Sequence, residues 1–213
     1  MNYLQLVQQT WREAGLSGEG PPDVVSATDM ARKVCSWVNQ AWQEIQSLRA
    51  WPFLQRRVSA QLIPSQYQYT LAELGLADVR SFDVRYLQIG AQPARWLDWP
   101  AARGVWDKTP DAGKPAGVSL HPSGALWFDR VPDQPYGVQL DYTATAQNLQ
   151  DNLDVPALQE QDQMVIVWLA VSRYAGYDVA PELLAAATQN YRNAMMRLLQ
   201  HSFATGVCEA PLA

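Results

Sequence analysis

The hydrophobic positions at the start of the chain recur every three or four residues, which is the spacing of one face of an α-helix. In the first segment these positions are Leu4, Val7, Trp11 and Ala14. They predict a short helix over residues 3–14. Gly15 is expected to end this helix, because glycine readily adopts the left-handed conformation that follows many helix C-termini.

A second amphipathic helix is predicted after the glycine- and proline-rich stretch of residues 17–22. It is expected to begin near Ser26 or Thr28, because Ser26 and Asp29 have the spacing of a capping box. Its hydrophobic positions and the two tryptophans that flank them are Val34, Val38, Ala41, Ile45, Leu48, Trp37 and Trp42. The helix must end before Pro52, because proline disfavours helical geometry in the preceding residue.

From Arg57 the period changes to two, which predicts half-buried β-strands. The alternating sets are Val58, Ala60 and Leu62, then Tyr67, Tyr69 and Leu71, then Phe82, Val84 and Tyr86, and finally Val138, Leu140 and Tyr142. The turn sequence at residues 122–124 separates two further short runs and predicts a hairpin. Residues 90–117 are rich in proline and tryptophan, and we expect a long ordered loop with one helical turn.

The helical period returns near Asp154, and Pro156 suits the first turn of a helix because its missing N–H needs no partner there. Residues 164–171 are apolar on every side, so their helix must be covered on nearly all faces. Pro181 is expected to start a last helix. Residues 201–213 have no period long enough to form an element.

These elements together predict an α+β protein, in which a helical bundle from the N- and C-terminal segments carries an inserted antiparallel β region. We expect a helical bundle domain of residues 1–56 and 150–200 and a β-rich insertion of residues 57–149. An extended C-terminal tail of residues 201–213, called the C-terminal segment below, completes the prediction.

Composition and charge exclude several classes of function. Sixteen Lys and Arg stand against 21 Asp and Glu, and the net charge of −5 argues against a nucleic-acid binder with a broad basic surface. Cys35 and Cys208 lie far apart, so no disulfide framework is expected. No apolar run approaches the ~18 residues of a membrane span, and the N-terminus does not resemble a signal peptide.

Candidate catalytic chemistry is sparse. His121 and His201 lie at element ends without metal-ligand spacing, and Cys35 is interpreted as an inert buried thiol. The acidic pairs at residues 129/133 and 151/154 are expected in turns and at helix ends rather than around a cleft. We therefore predict no catalytic residue, no metal site and no cofactor, and we do not expect an enzyme.

The composition is unusual in its nine tryptophans. Those on helical stripes are expected in the core, whereas tryptophans in loops can anchor protein interfaces or stack on sugars. The residues of this candidate interface loop are Trp96, Trp99 and Trp106. A Trp-rich carbohydrate- or peptide-binding module is therefore one hypothesis for the function.

Several stretches of the chain carry a family resemblance when they are taken together. Near the N-terminus they are Asn2-Tyr3-Leu4, residues 13–18, residues 37–46 and Trp51-Pro52-Phe53-Leu54. Later in the chain they are residues 124–129, residues 132–136, Leu140-Asp141-Tyr142 and residues 154–158. In this order the stretches resemble the adaptor proteins of the head-to-tail connector of tailed bacteriophages.

The resemblance implies a non-enzymatic structural protein of the virion, made in the cytoplasm of the bacterial host. Such adaptors form a homo-oligomeric ring, typically a dodecamer, beneath the portal protein. The ring extends the channel through which genomic DNA passes without sequence-specific binding, and it provides the platform for a downstream tail protein such as a nozzle or terminator. Portal binding, virion assembly and DNA ejection are therefore the expected context, with no membrane partner.

The resemblance also implies roles for particular residues. The C-terminal segment would dock on the portal, and its residues are His201, Ser202, Phe203, Ala204, Thr205, Gly206, Val207, Cys208, Glu209, Ala210, Pro211, Leu212 and Ala213. Helices would pack side by side around the ring, and a helix that is apolar on all sides fits such packing. The residues expected in this contact between subunits are Trp37, Trp42, Val167, Trp168 and Val171.

Overall fold

A computed structural model describes residues 1–105 and 110–203 of the chain. Its α-helices are α1 (Tyr3–Glu13), α2 (Asp29–Ser47), α3 (Trp99–Ala102), α4 (Met164–Tyr177) and α5 (Pro181–Phe203). Its strands are β1 (Gln55–Leu62), β2 (Gln68–Tyr69), β3 (Val79–Ile89), β4 (Gln92–Pro93), β5 (Arg95–Trp96), β6 (Gly117–Leu120), β7 (Leu126–Phe128) and β8 (Tyr136–Ala144). The predicted α+β class is confirmed.

The chain divides into two compact units, each with its own core. The helical unit contains Met1–Leu54 and Ala146–Ala213, and the β unit contains Gln55–Thr145. Within residues 1–105 and 110–203, no helix combines the length and the hydropathy that crossing a membrane would require.

In the helical unit, α4 packs against α1, α2 and α5. Side chains from all four helices form one hydrophobic core. Each helix contributes a side chain with at most 1% exposure, namely Leu6, Val38, Ile166 and Leu198. The hydrophobic sequence of α4 is thus explained within a single chain, because the three neighbouring helices cover it. The apolar sequence of α4 therefore gives no separate support for packing between subunits.

The first helix forms where the sequence predicts it. Asn2 and Gln5 make a capping box at its start, and Gly15 follows its end with a φ of 68°. The predicted positions Val7 and Ala14 are buried, whereas Leu4 is only half-buried. The buried face also includes Leu6 and Thr10, which the spacing did not predict.

Of the two predicted helix starts, the first has the right position and the second is wrong. Thr28 is the N-cap of α2, as predicted, but the capping box is absent, because the Ser26 hydroxyl donates to Asp23 at 2.5 Å and the Thr28 side chain makes no cap bond. Pro156 starts no helix, because the side chain of Gln147 accepts from the Ala157 N–H and donates to the Val155 carbonyl. These bonds hold residues 155–157 outside any helix, and α4 begins only at Met164 after a short 3₁₀ turn at Glu160–Asp162.

The β unit contains two four-stranded sheets. The first has the order β1-β8-β3-β4 and is antiparallel throughout. The second has the order β2-β7-β6-β5, in which β5 pairs with β6 in parallel. The predicted hairpin is present between β6 and β7, and Gly124 in its turn has a φ of 84°. Leu62, Phe128 and Val138 are buried in the core of this unit.

In the second half of β3, the side chains that were predicted to be buried are exposed. Asp83 pairs with Asp141 and Gln88 with Gln139, so the register shifts between these two pairs. The bulge reverses the alternation of buried and exposed side chains, because an odd number of extra residues on one strand moves the later side chains to the opposite face of the sheet. Val84 and Tyr86 are consequently exposed at 44% and 54%, whereas Leu87 and Ile89 are buried.

The proline-rich stretch contains more regular structure than predicted. The expected helical turn is present as α3, but β4 and β5 also form within residues 92–96. These two short strands belong to different sheets, because β4 pairs with β3 in the first sheet and β5 pairs with β6 in the second. The prediction of a long loop is therefore wrong for this part.

Candidate functional site

The predicted C-terminal segment begins inside a helix rather than after one. Residues His201, Ser202 and Phe203 form the last turn of α5. The expectation that these three residues lie in an extended tail is wrong, because no glycine or proline precedes Gly206 to stop the helix. Residues 204–213 of the segment lie outside the described residues. The last turn of α5 is called the tail base below.

A buried acid holds one side of the tail base. Asp162 lies in the 3₁₀ turn before α4, with a side chain only 3% exposed, and its Oδ1 is 2.8 Å from Nδ1 of His201. A buried carboxylate needs hydrogen-bond partners, because burial removes its hydration. The bond to His201 therefore ties the end of α5 to the start of α4.

Aromatic packing holds the other side of the tail base. Trp51 is fully buried, donates from its indole N–H to the Ile45 carbonyl at 2.6 Å, and lies 6.1 Å from the ring of Phe203. The guanidinium of Arg49 lies 5.7 Å from both ring centroids, as in a cation–π contact. Half of Phe203 remains exposed, so the tail base presents an apolar surface where the chain continues.

A small cleft lies beside the tail base. It has a volume of about 310 Å³ and is lined by Phe53, Leu158, Leu198 and Ser202 together with Asp162 and His201. Its one acid is bonded to His201, and no second carboxylate lines it. This arrangement resembles a packing junction more than a pair of catalytic acids around a substrate.

The residues expected between subunits differ in their accessibility. Trp42, Val167 and Val171 have 0% exposure within the helical core, so this structure removes them from the surface available to another copy. Trp37 and Trp168 are only partly buried. Their contact with a second copy therefore stays a prediction.

The candidate interface loop does not act as one platform. Trp96 packs against Phe82 with ring centroids 5.2 Å apart, on the edge of the core of the β unit. Trp99 instead meets His121 at 4.3 Å and Trp127 at 5.4 Å. Trp106 lies outside the described residues. Two of the three tryptophans thus have different partners within the β unit.

His121 stacks on Trp127 with centroids 4.2 Å apart and an angle of 2° between the rings. The backbone N–H of Ser123 donates to Nδ1 of this histidine at 3.1 Å. These contacts account for His121 as a part of the hairpin turn. They give no support for a metal ligand or a general base at this position.

A groove of the β unit crosses the strands β1, β3 and β8. It has a volume of about 490 Å³ and contains two ion pairs, Arg57 with Asp141 at 2.6 Å and Arg85 with Asp83 at 2.7 Å. Hydrogen bonds from these arginines lower the pKa of both carboxyl groups. Neither acid is thus suited to donate a proton near neutral pH.

The remaining candidate groups have structural partners. Asp154 accepts from the backbone N–H of Gln150 and Asp151, and these bonds lower its pKa. Burial raises the pKa of the Cys35 thiol to about 11, which leaves it protonated and unreactive at neutral pH. Across residues 1–105 and 110–203, no group of three or more His, Cys, Asp or Glu could hold a metal ion.

Sequence reasoning missed Asp162 and the turn between α4 and α5. No local pattern in the sequence marks Asp162, because its partner His201 lies 39 residues later. The turn has a sequence signal, because Tyr177-Asp178-Val179-Ala180-Pro181 joins two helices without a glycine. Val179 there has a φ of 54° and is 83% exposed.

Comparison with known proteins gives one family match. A family model described as SU10 adaptor protein matches residues 1–208. No curated protein matches the chain.

Proposed function

The chain belongs to the SU10 adaptor protein family, a family of phage head-to-tail adaptors, and from this premise we propose that it forms a ring beneath the portal protein. The family is one of structural phage proteins and is not a known enzyme family. The chain is therefore a virion component whose family associates with portal and tail proteins. The match over residues 1–208 is the observation that carries the proposal.

In the proposed ring, copies of the chain meet through their helical units. Trp37 and Trp168 are the aromatic residues from the expected set that retain accessible surface. A ring needs two different faces that fit each other, since a head-to-tail contact repeats around a closed circle. We assign twelve copies to the ring on the family resemblance.

The portal contact is assigned to residues 204–213, with the tail base as their anchor. The bond between His201 and Asp162 and the packing of Phe203 beside Trp51 support this assignment, because they hold the residues that directly precede the segment. A fixed starting point reduces the conformational entropy that docking must remove.

Passage of DNA through the ring fits the charge of the chain. A net charge of −5 gives phosphates little to bind, so DNA can slide without being held. Two arginines of the β unit, Arg57 and Arg85, also form ion pairs with neighbouring carboxylates. The proposed downstream partner on the other side of the ring is a tail protein such as a nozzle or terminator.

The carbohydrate- or peptide-binding hypothesis receives less support. Trp96 and Trp99 have separate partners, so they do not form the shared stacking surface that it requires. Tryptophan fluorescence titrated with glycans tests it, and the adaptor proposal predicts no quenching.

The test of the portal assignment is a chain that ends at Phe203. The truncation removes residues 204–213 and keeps the tail base, so the helical unit should fold and keep its melting temperature. The truncated chain should fail to bind the cognate portal in light scattering, whereas the full chain forms a complex. Binding by the truncated chain would move the portal contact to another surface.

A further inference from the structure

The turn between α4 and α5 has the long-range hydrogen bond of a Schellman motif. The Asp178 N–H makes the last helical bond, to the Tyr174 carbonyl at 2.9 Å, and the Ala180 N–H then donates to the Ala175 carbonyl at 3.0 Å. This motif requires a left-handed residue between Asp178 and Ala180, and glycine usually occupies that position. Val179 occupies it here with a φ of 54°.

Valine is poorly suited to this backbone conformation. A β-branched side chain crowds the neighbouring carbonyl when φ is positive, so glycine or asparagine would relieve strain. The side chain of Val179 gains little from burial, because 83% of the residue is exposed. The fold of the isolated chain therefore gives no reason for an apolar branched side chain at the tip of this turn.

The surroundings of Val179 combine an ordered aromatic ring with two charged groups, the Lys33 ammonium and the exposed Asp178 carboxylate. Tyr177 is 52% exposed, yet its ring lies 5.5 Å from Trp37 and beneath the Lys33 ammonium at 4.1 Å. The same ammonium donates to the Tyr177 hydroxyl at 2.6 Å. A partner would therefore meet a fixed aromatic ring beside the valine, which lowers the entropy cost of binding.

The turn and the tail base lie at opposite ends of α5. A helix of 23 residues is about 34 Å long, so the turn is well separated from the tail base. If residues 204–213 dock on the portal, the turn lies away from that contact. This step rests on the proposed function.

We propose that Val179 and Tyr177 form a contact for the next tail component, which presents an apolar socket to the turn between α4 and α5. Strain that the fold does not need is commonly kept where a residue must be presented to a partner. If the Val179 side chain is exposed in the free chain and buried when the tail component attaches, both its place at the tip of the turn and its apolar character are explained.

To test this proposal, variants of the chain are expressed in trans in cells infected with a phage that lacks the adaptor gene. Val179→Asn and Val179→Gly suit a positive φ, so both should fold and melt at or above the wild-type temperature. Leu153→Asn is the matched control, because Leu153 is 79% exposed and has no positive φ. DNA-filled heads are purified, and the adaptor content of the heads and the fraction of tailed particles are measured by gel and electron microscopy.

We expect heads with either Val179 variant to carry the wild-type amount of adaptor. The fraction of tailed particles should fall at least about tenfold, in line with the loss of one central apolar contact, whereas Leu153→Asn heads acquire tails normally. Tailing at the wild-type level would overturn the inference, and so would loss of the adaptor from the heads. Absence of the wild-type chain from heads would instead contradict the proposed function.

Discussion

The two ends of α5 are built in opposite ways. At the tail base, His201 is bonded to a buried acid and Phe203 packs beside a buried tryptophan. At the other end, Val179 is exposed in a strained conformation. The tail base is explained by contacts within the chain, whereas the turn is not. The contrast separates residues that support an attachment point from residues that themselves meet a partner.

The largest expected effect is at Trp51. Trp51→Ala should lower the free energy of unfolding by about 3–5 kcal/mol, the range for removing a large buried aromatic side chain. The indole also donates to the Ile45 carbonyl, which would keep only its bond from the Leu48 N–H. Urea denaturation followed by circular dichroism measures the change. Phe53→Leu, at a half-buried neighbour, should cost much less, and equal losses would show that Trp51 has no special place at the tail base.

A smaller effect is expected at His201. His201→Ala removes the hydrogen bond to buried Asp162 and should cost about 1–3 kcal/mol, because a buried charged group loses its partner. His201→Gln keeps a donor and should recover part of that loss. Hydrogen exchange of the last turn of α5 reports the same change locally. If the alanine variant is as stable as the wild type, the bond does not hold the tail base.

The smallest effect, and the only one of opposite sign, is expected at Val179. Val179→Gly should raise the free energy of unfolding by about 0.5–1 kcal/mol, since relief of left-handed strain exceeds the entropy cost of glycine. Leu153→Gly, at a similarly exposed site without positive φ, should lower it. Thermal unfolding compares the two variants. A loss of stability at Val179 would remove the contrast between the two ends of α5.

Local patterns predicted those elements that depend on neighbouring residues. The helix that Gly15 ends and the hairpin at Gly124 both follow from spacing and from the backbone freedom of glycine. The start of α4 could not be predicted in this way, because Gln147 satisfies the backbone groups near Pro156 from outside the local pattern.

Burial and site residues depended on contacts between distant parts of the chain. The exposure of Tyr86 follows from a bulge that is defined only by the pairing of β3 with β8. The role of Asp162 needs the last turn of α5, which no periodicity connects to it. Val179 differs, because the absence of glycine between two adjacent helices was visible in the sequence.

We propose that this adaptor binds the portal through residues 204–213, which start from the tail base. The decisive experiment is electron microscopy of the cognate portal mixed with the full chain and with the chain ending at Phe203. The full chain should form a ring on the portal, and the truncated chain should leave the portal bare. A portal that stays bare with the full chain, or that gains the ring with both, would contradict this proposal.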